Sequence, residues 1–425
     1  MNYIIGSGFS GLTVAYALYK KGIKSTIISP ADGIKKKNSS LLRLIFKKNG
    51  EILNNSESFS KEINKINKSN VKNCKYLISH LDGGQSNFWG GIIGNIYEYD
   101  LSEYLVNRKD LLKNSILFKR LLKIIGIKYE NFFKYQKKQK KKISEIEYDV
   151  SKRSVSNLKK FLKKNKINFI DNSYVKKINS RNSTIEVHNL LNKKKLQIKY
   201  ENLFLSCGPI ETSKLILNSF SSIKKIIVKE TQHFYAILKV KKNFLSRFFN
   251  ISINNYKFSC QLYSLKNILG IFFKKYFKNI KQDKKSKYFI AQCYLDQKYS
   301  SKIELRNIMN CISIKGVYNK KFKSQNFNNE IKNFNKNNSS LEIKKIFLNS
   351  IGSSNHLGAS IPMTKKKSVK LGVDKYGRFN GTKNIFITDS SVLNKIDVSP
   401  ITIFSLNNIF RMIIDNRYIK KVKTK

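Results

Sequence analysis

The chain opens with Asn2-Tyr3-Ile4-Ile5-Gly6-Ser7-Gly8-Phe9-Ser10-Gly11, a short apolar strand running straight into a G-x-G-x-x-G turn. Residues 12–20 continue with helical spacing, Leu12, Ala15, Leu18 and Tyr19 marking the apolar face of an amphipathic helix. The alternative is an ordinary glycine-rich strand–helix turn, but in this context the pattern points to a dinucleotide site. Gly6 allows the tight turn, Gly8 lets the backbone approach a pyrophosphate, and Gly11 lets the helix pack close to the strand. The first helical residues, Phe9 and Ser10, then present free N–H groups and the positive dipole end to phosphate. The second strand ends at Ser29, where an acidic residue usually accepts from ribose hydroxyls. Serine can make one such bond without charge, and Asp32 in the following loop is the alternative carboxylate.

With 425 residues, 41% of them hydrophobic, the chain has material for two or three domains and a large core. Its formal net charge of +56 has two readings. One is attraction to a polyanion, either nucleic acid or an anionic membrane face. The other is compositional bias, because lysines are scattered through every segment while only 4 prolines and 1 tryptophan occur. Nucleic acid is the weaker partner, since no recognition motif or stacking platform accompanies the charge. Five cysteines stand singly, with no C-x-x-C pair, which predicts a reducing compartment, no structural disulfide and no metal site. The dinucleotide strand begins at residue 2 and no run of 18 apolar residues occurs, so a cytoplasmic protein without a transmembrane segment is expected, with peripheral membrane contact as a further option.

Beyond the first βαβ unit, residues 34–75 are polar and 101–133 read as helical, followed by a basic loop at 134–142. A helix at 156–164 precedes strands at 167–170, 174–175, 184–188 and 196–199, read as an antiparallel group. Residues 226–318 alternate strand-like pieces, and 320–340 read as a helix or linker.

Three later segments carry chemistry. The loop 83–91 reads Gly83-Gly84-Gln85-Ser86-Asn87-Phe88-Trp89-Gly90-Gly91; its glycines permit close backbone approach and Asn87 adds a polar group, so it is read as ligand-facing. The strand Leu203-Phe204-Leu205-Ser206-Cys207 turns at Gly208-Pro209 into a helix, giving another strand end of the kind where ligands collect in open α/β sheets. Cys207 reads as a small buried residue, not a nucleophile. The third segment places His356-Leu357-Gly358 before the turn Asp374–Arg378, the short strand Asn384-Ile385-Phe386-Ile387-Thr388-Asp389, and Ser399-Pro400-Ile401-Thr402 opening a last helix. Proline at the first helical position after a serine cap is a good helix start.

In their order and spacing these four segments resemble the glucose–methanol–choline (GMC) oxidoreductase family of FAD enzymes. The loop 84–91 is closer to its bacterial sugar-oxidising members. The resemblance implies an α/β chain with a Rossmann-like FAD-binding domain, discontinuous over 1–100, 150–225 and 350–425, a helical and basic connection at 101–149, and a β-rich substrate domain at 226–349. It implies oxidation of a CH–OH group, in an alcohol or a sugar, with hydride transfer to flavin N5 and His356 as the base; the electron acceptor is left open. It further implies that Gly6, Gly8, Phe9, Ser10, Gly11, Ser29, Gly83, Gly84, Asn87, Cys207 and Gly208 surround FAD. Val175 contacts the adenine, Asp389 the ribityl or phosphate portion, and Pro400 with Ile401 the flavin pyrimidine edge. An imidazole with its ordinary pKa near 6.5 accepts a proton near neutrality.

The chain departs from the family where a second His or Asn normally precedes the proline. Here that residue is Ser399, which can bind the substrate oxygen or cap the helix. Among the other histidines, His80 is expected near the cofactor, His233 along the substrate pocket, and His188 at the surface. A competing reading keeps the flavin fold without turnover, as a peripheral membrane or polyanion binder. It rests on the aromatic and lysine-rich segments 244–249 and 265–278.

Overall fold

The computed structural model describes residues 1–30, 57–76, 78–80, 82–88, 101–127, 154–240, 248–253, 256–264, 288–322, 324–338, 340–354, 356–366, 368–398 and 400–419. Asp32, Trp89, the basic loop 134–142, the segment 265–278 and Ser399 lie outside the described residues.

A parallel five-stranded sheet organises the molecule. Its strands are β1 (Asn2–Ile5), β2 (Ser25–Ile28), β4 (Asn168–Ile170), β8 (Asn202–Leu205) and β18 (Ile385–Ile387), in the order β18-β8-β1-β2-β4. Ile4 sits opposite Ile27 on one side and Phe204 on the other, and all three are fully buried. Short apolar strands covered on both faces are what a parallel sheet requires. The strand at 168–170 therefore joins this sheet by pairing with β2, and is not part of the antiparallel group expected from the sequence. Only β5 (Ser173–Asn179), β6 (Thr184–Asn189) and β7 (Lys195–Lys199) form that group.

At the carboxyl ends of the parallel strands the backbone ladder runs on into the loops. Gly6 N–H donates to Ile28 (2.8 Å), Ser29 to Ile170 (3.1 Å), Ser206 to Ile5 (2.9 Å) and Thr388 to Leu205 (2.8 Å). The four loops thus leave the sheet at one level. Helix α1 (Phe9–Lys20) follows the first of them and is buried from Gly11 to Leu18. The expected amphipathic face is absent because α1 is enclosed. Tyr16 meets Phe161 of α5 (Ser154–Lys164) at 5.8 Å and Phe410 of α8 (Thr402–Ile414) at 6.1 Å. Gly6 holds φ +108°, and a Cβ there would lie 2.4 Å from the Ser206 carbonyl; a Cβ on Gly11 would lie 2.0 Å from the Gly6 carbonyl. Both contacts are with backbone, so neither position accepts a side chain without moving the sheet against the helix.

Two further sheets complete the frame. One contains β3 (Ser69–Lys72), β9 (Lys225–Glu230), β14 (Lys302–Ile308), β15 (Cys311–Val317) and β17 (Leu357–Gly358). Its buried residues, among them Ile226, Val228, Ile303 and Leu305, share one hydrophobic core with the parallel sheet. The other is antiparallel: β10 (His233–Val240), β11 (Phe248–Ile253), β12 (Tyr256–Ser264), β13 (Tyr288–Leu295) and β16 (Leu341–Leu348). Alternation divides its faces. Phe234, Leu238, Phe258, Cys260 and Cys293 pack with Phe327 of α7 (Ser324–Asn337) in a second core. Gln261, Gln292 and Tyr235 are cross-strand neighbours on the opposite face, as are Ser259, Tyr294 and His233. Ser259 Oγ donates to the Val398 carbonyl (2.6 Å), tying that face to the segment before α8.

The remaining helices are α2 (Glu57–Ile66), α3 (Arg108–Leu112), α4 (Ser115–Ile124) and α6 (Pro209–Ser219). Asn107 and Asp110 form a reciprocal cap at the start of α3. The last helix starts later than proline placement suggests: Ser405 N–H donates to Ile401 (2.9 Å), so Ile401 is the N-cap and Pro400 precedes the helix. Among the described residues no helix is long and apolar enough to cross a membrane, and no group of three or more His, Cys, Asp or Glu residues is placed to hold a metal ion.

Glycine positions separate close contact from backbone strain. Gly11→Ala is expected to cost about 3 kcal/mol or more in urea unfolding, since backbone must shift. Gly126→Ala, at φ +81° with nothing within 4 Å of its Cβ, is expected to cost about 1 kcal/mol. Equal losses would contradict the close approach.

Candidate functional site

The four loops at the carboxyl edge of the parallel sheet border one elongated cavity of about 330 Å³, within the ~300–1,000 Å³ of small-molecule sites. Its wall is made by Gly6, Gly8, Phe9 and Ser10 after β1, Ser29 and Pro30 after β2, Cys207 and Gly208 after β8, and Asp389 and Ser390 after β18. Gly83 and Gly84, Val175, His356, Pro400 and Ile401 border the same space. Segments more than three hundred residues apart therefore meet at one crevice. Gly11 does not border it; that residue lies beneath the helix start, where closeness to Gly6 is its contribution. Asn87 belongs to a 3₁₀ turn, Gly84–Phe88, and its side chain lies outside the described residues, as does Ser399.

The glycine turns touch each other. A Cβ on Gly8 would lie 3.6 Å from the Gly83 carbonyl, and one on Gly84 would lie 3.7 Å from Gly8 Cα. Ser86 Oγ donates to the Gly83 carbonyl and closes the second turn. Ser29 and Ser7 share a side-chain hydrogen bond of 2.8 Å, so Ser29 braces the first turn.

Asp389 is 1% exposed and its carboxylate is engaged by the chain itself. Oδ2 accepts from Gly208 N–H (2.9 Å) and Thr212 Oγ1 (2.5 Å), while Oδ1 accepts from Ser391 N–H (2.9 Å). Burial raises its pKa, and these donors oppose the rise. The bonds fix the start of α6, which carries Glu211 to the cavity wall. Burial alone would raise the Glu211 pKa, but Lys214 Nζ at 2.7 Å and nearby His80 outweigh it and hold the carboxyl below its usual range. Tyr174 OH donates to Glu211 (3.1 Å), and Asn67 donates to Tyr174 OH (2.6 Å). His80 borders the cavity, as expected from its place before the glycine loop. Both its ring nitrogens are buried and unpartnered among the described residues, and burial lowers its pKa. Burial pushes the Cys207 thiol far up, which agrees with an inert residue.

At the other end, the His356 ring lies stacked on Tyr294, centroids 4.2 Å apart and planes at 13°. The backbone N–H of His356 donates to Ser354 Oγ (3.0 Å), and its ring Nδ1 is buried without a partner among the described residues. Burial, with His233 nearby, lowers its pKa to about 3. Burial likewise lowers His233 to about 4. Both imidazoles are neutral at physiological pH. His233 does not border the cavity; it stands one step behind, against Tyr294 at 6.1 Å and with Nδ1 3.5 Å from Ser353 Oγ. His188 is buried, not superficial: it faces Tyr174 across β5 and β6 and pairs with Glu186 at 2.5 Å.

Sequence reasoning missed Gln261, Gln292 and Tyr294, which border the cavity beside His356. Their only signal is cross-strand register, which spacing within one strand does not reveal. It also missed Glu230, a fully buried carboxyl opposite Leu357. Oε1 accepts from Gly352 N–H (2.9 Å), Oε2 has no partner among the described residues, and burial pushes its pKa up to about 7. Between its ordinary 4.5 and about 7, the folded chain keeps a proton that the unfolded chain releases, so Glu230 lowers stability as pH rises. Glu230→Gln keeps the acceptor without the ionisation. Its unfolding free energy relative to the parent is expected to improve by about 3 kcal/mol from pH 4.5 to 7 and to stay level above. A pH-independent difference in paired denaturant titrations would refute a buried neutral carboxyl.

No protein-family model matches the chain, and no curated protein matches it in sequence. The fold is similar to that in the crystal structure of pyridoxine 4-oxidase from Mesorbium loti, with a TM-score of 0.57 and 10% sequence identity over 97% of this chain and 98% of that one. At that identity the likeness is one of fold: a mixed α/β chain with parallel and antiparallel sheets that matches an oxidase from end to end.

Proposed function

We propose that the chain is an FAD-dependent oxidoreductase of the glucose–methanol–choline type that oxidises a CH–OH group of a small-molecule alcohol or sugar. The observation that carries this reading is the meeting of two glycine turns, the Cys207–Gly208 turn, the Pro400–Thr402 segment and His356 on one cavity. The end-to-end fold likeness to an oxidase supports it.

The residues fit such a cofactor. The Gly8–Gly84 contact brings two glycine backbones to the cavity edge, and the start of α1, where Gly8 makes no side-chain cap bond, would turn its positive dipole end to a pyrophosphate. Ser29, Tyr174, Val175 and the start of α8 border the same cavity; in this reading Ser29 would take the ribose, Tyr174 and Val175 the adenine, and the start of α8 the electron-rich edge of a flavin ring. The Asp389 carboxylate acts through the chain, by holding the Gly208 turn in place, because Oδ2 is committed to that turn and Oδ1 to Ser391. When bound, FAD would supply a hydride acceptor at N5. His356 would accept the hydroxyl proton of the alcohol: stacking on Tyr294 fixes its plane, and burial keeps its ring uncharged while making it a weaker base than a free imidazole.

Two variants test the halves of this reading. Gly8→Ala sits at φ −72° with only an ordinary 3.6 Å contact, so its unfolding midpoint is expected to match the parent while FAD retention falls at least about tenfold. His356→Ala is expected to stay yellow and to lose anaerobic bleaching by an alcohol by roughly 10²-fold or more. Undiminished bleaching in that variant removes His356 from the base role, and a purified protein that refuses added FAD removes the cofactor.

A further inference from the structure

We infer that the His356 end of the cavity is built for an uncharged, hydroxyl-bearing molecule and rejects its phosphorylated or carboxylated counterparts, with Gln261, Gln292 and Tyr294 as the side chains that select it. This rests on the alcohol-oxidation reading and narrows its substrate class.

The chain contains 83 Lys and Arg residues, yet among the described residues none borders the cavity. The nearest buried cation, Lys214, is bound to Glu211 at 2.7 Å and is not part of the wall. The charged side chains that do border it, Glu211 and Asp389, are both acidic. His356 and His233 are neutral at physiological pH, as their burial requires. A phosphate or carboxylate entering here would be desolvated with no counter-ion among the described residues. Three helix starts supply the remaining positive potential. The start of α1 lies at the glycine turns, the start of α6 already holds the Asp389 carboxylate, and the start of α8 is assigned to the cofactor ring.

What the wall does offer is neutral hydrogen bonding. Gln261 and Gln292 are directly opposite on β12 and β13, on the face turned away from the second core. Gln292 Nε2 donates to Tyr294 OH (2.9 Å), and Tyr294 stacks on His356. Two amides, a phenol and an imidazole thus stand as neighbours on the cavity wall. Amides both donate and accept, as hydroxyls do, so this row matches a hydroxyl-bearing ligand and gives an anion only dipoles. Register holds the row: Tyr235 and His233 flank it on β10.

The test is an anaerobic spectral titration of the FAD-loaded protein with glucose, myo-inositol and pyridoxine, each against its monophosphate. Ligand entry is read from shifts of the flavin bands as well as from bleaching. At least one neutral compound is expected to enter at concentrations tenfold or more below its monophosphate. Gln292→Lys and, independently, Gln261→Lys are expected to narrow or reverse that order, and circular dichroism identifies whichever variant folds. A monophosphate that enters as readily as its neutral partner overturns the inference. So does a series in which no neutral compound enters, or a preference that neither folded lysine variant changes. Failure to bind FAD is seen before any ligand is added and defeats the oxidoreductase reading instead.

Discussion

The close approach of Gly11 to the Gly6 carbonyl is the contact on which the rest of the structure depends. It lets α1 start directly over the carboxyl edge of the parallel sheet instead of standing off by the width of a side chain. The helix can then be buried on all sides, between the sheet and the aromatic faces of Phe161 and Phe410. Because β1 is the central strand, its loop is also the centre of the fence formed by the loops after β2, β8 and β18. Local steric permission at two glycines therefore decides where the cavity lies. The cavity is a consequence of how strands end, as ligand crevices in open α/β sheets generally are.

Asp389 shows how that edge is kept in order. A fully buried carboxylate is costly unless donors surround it. Here the donors come from Gly208 and Thr212, 181 and 177 residues away in sequence, and from Ser391 next door. The same group thus ties β18 to the start of α6 and directs Glu211 toward the cavity. The carboxylate is engaged within the chain while the residue still borders the cavity. That division is invisible in sequence, because a motif records which residue stands at a position and not which of its atoms are already engaged.

Features set by short-range spacing were readable from the chain. Gly6, Gly8 and Gly11 lie within six residues, and the turn they encode follows from local sterics. His356, Pro400 and Ile401 were reachable because order and spacing persist across the last seventy residues, and all three border the cavity. Features set by pairing between distant strands were not readable. Gln261 and Gln292 become neighbours only through the β12–β13 register. The strand at Ser69–Lys72 is mostly exposed and shows no alternation; its place follows from a parallel pairing with β15. The same holds for His188, whose burial is decided by Tyr174 opposite it.

The placement of the chain's lysines follows from desolvation. Lysine is tolerated wherever its ammonium reaches water, so a lysine-rich composition falls on exposed positions. Desolvation keeps it at the surface. Among the described residues only Lys159 and Lys214 are buried lysines, and each is held by acids: Lys159 by Asp82 at 2.9 Å and Asp171 at 3.9 Å, Lys214 by Glu211. Burial by itself therefore accounts for a cavity wall that holds no lysine among the described residues. It does not dictate which neutral side chains stand there, and the wall's glutamines, tyrosine and histidine are set by the strands that carry them.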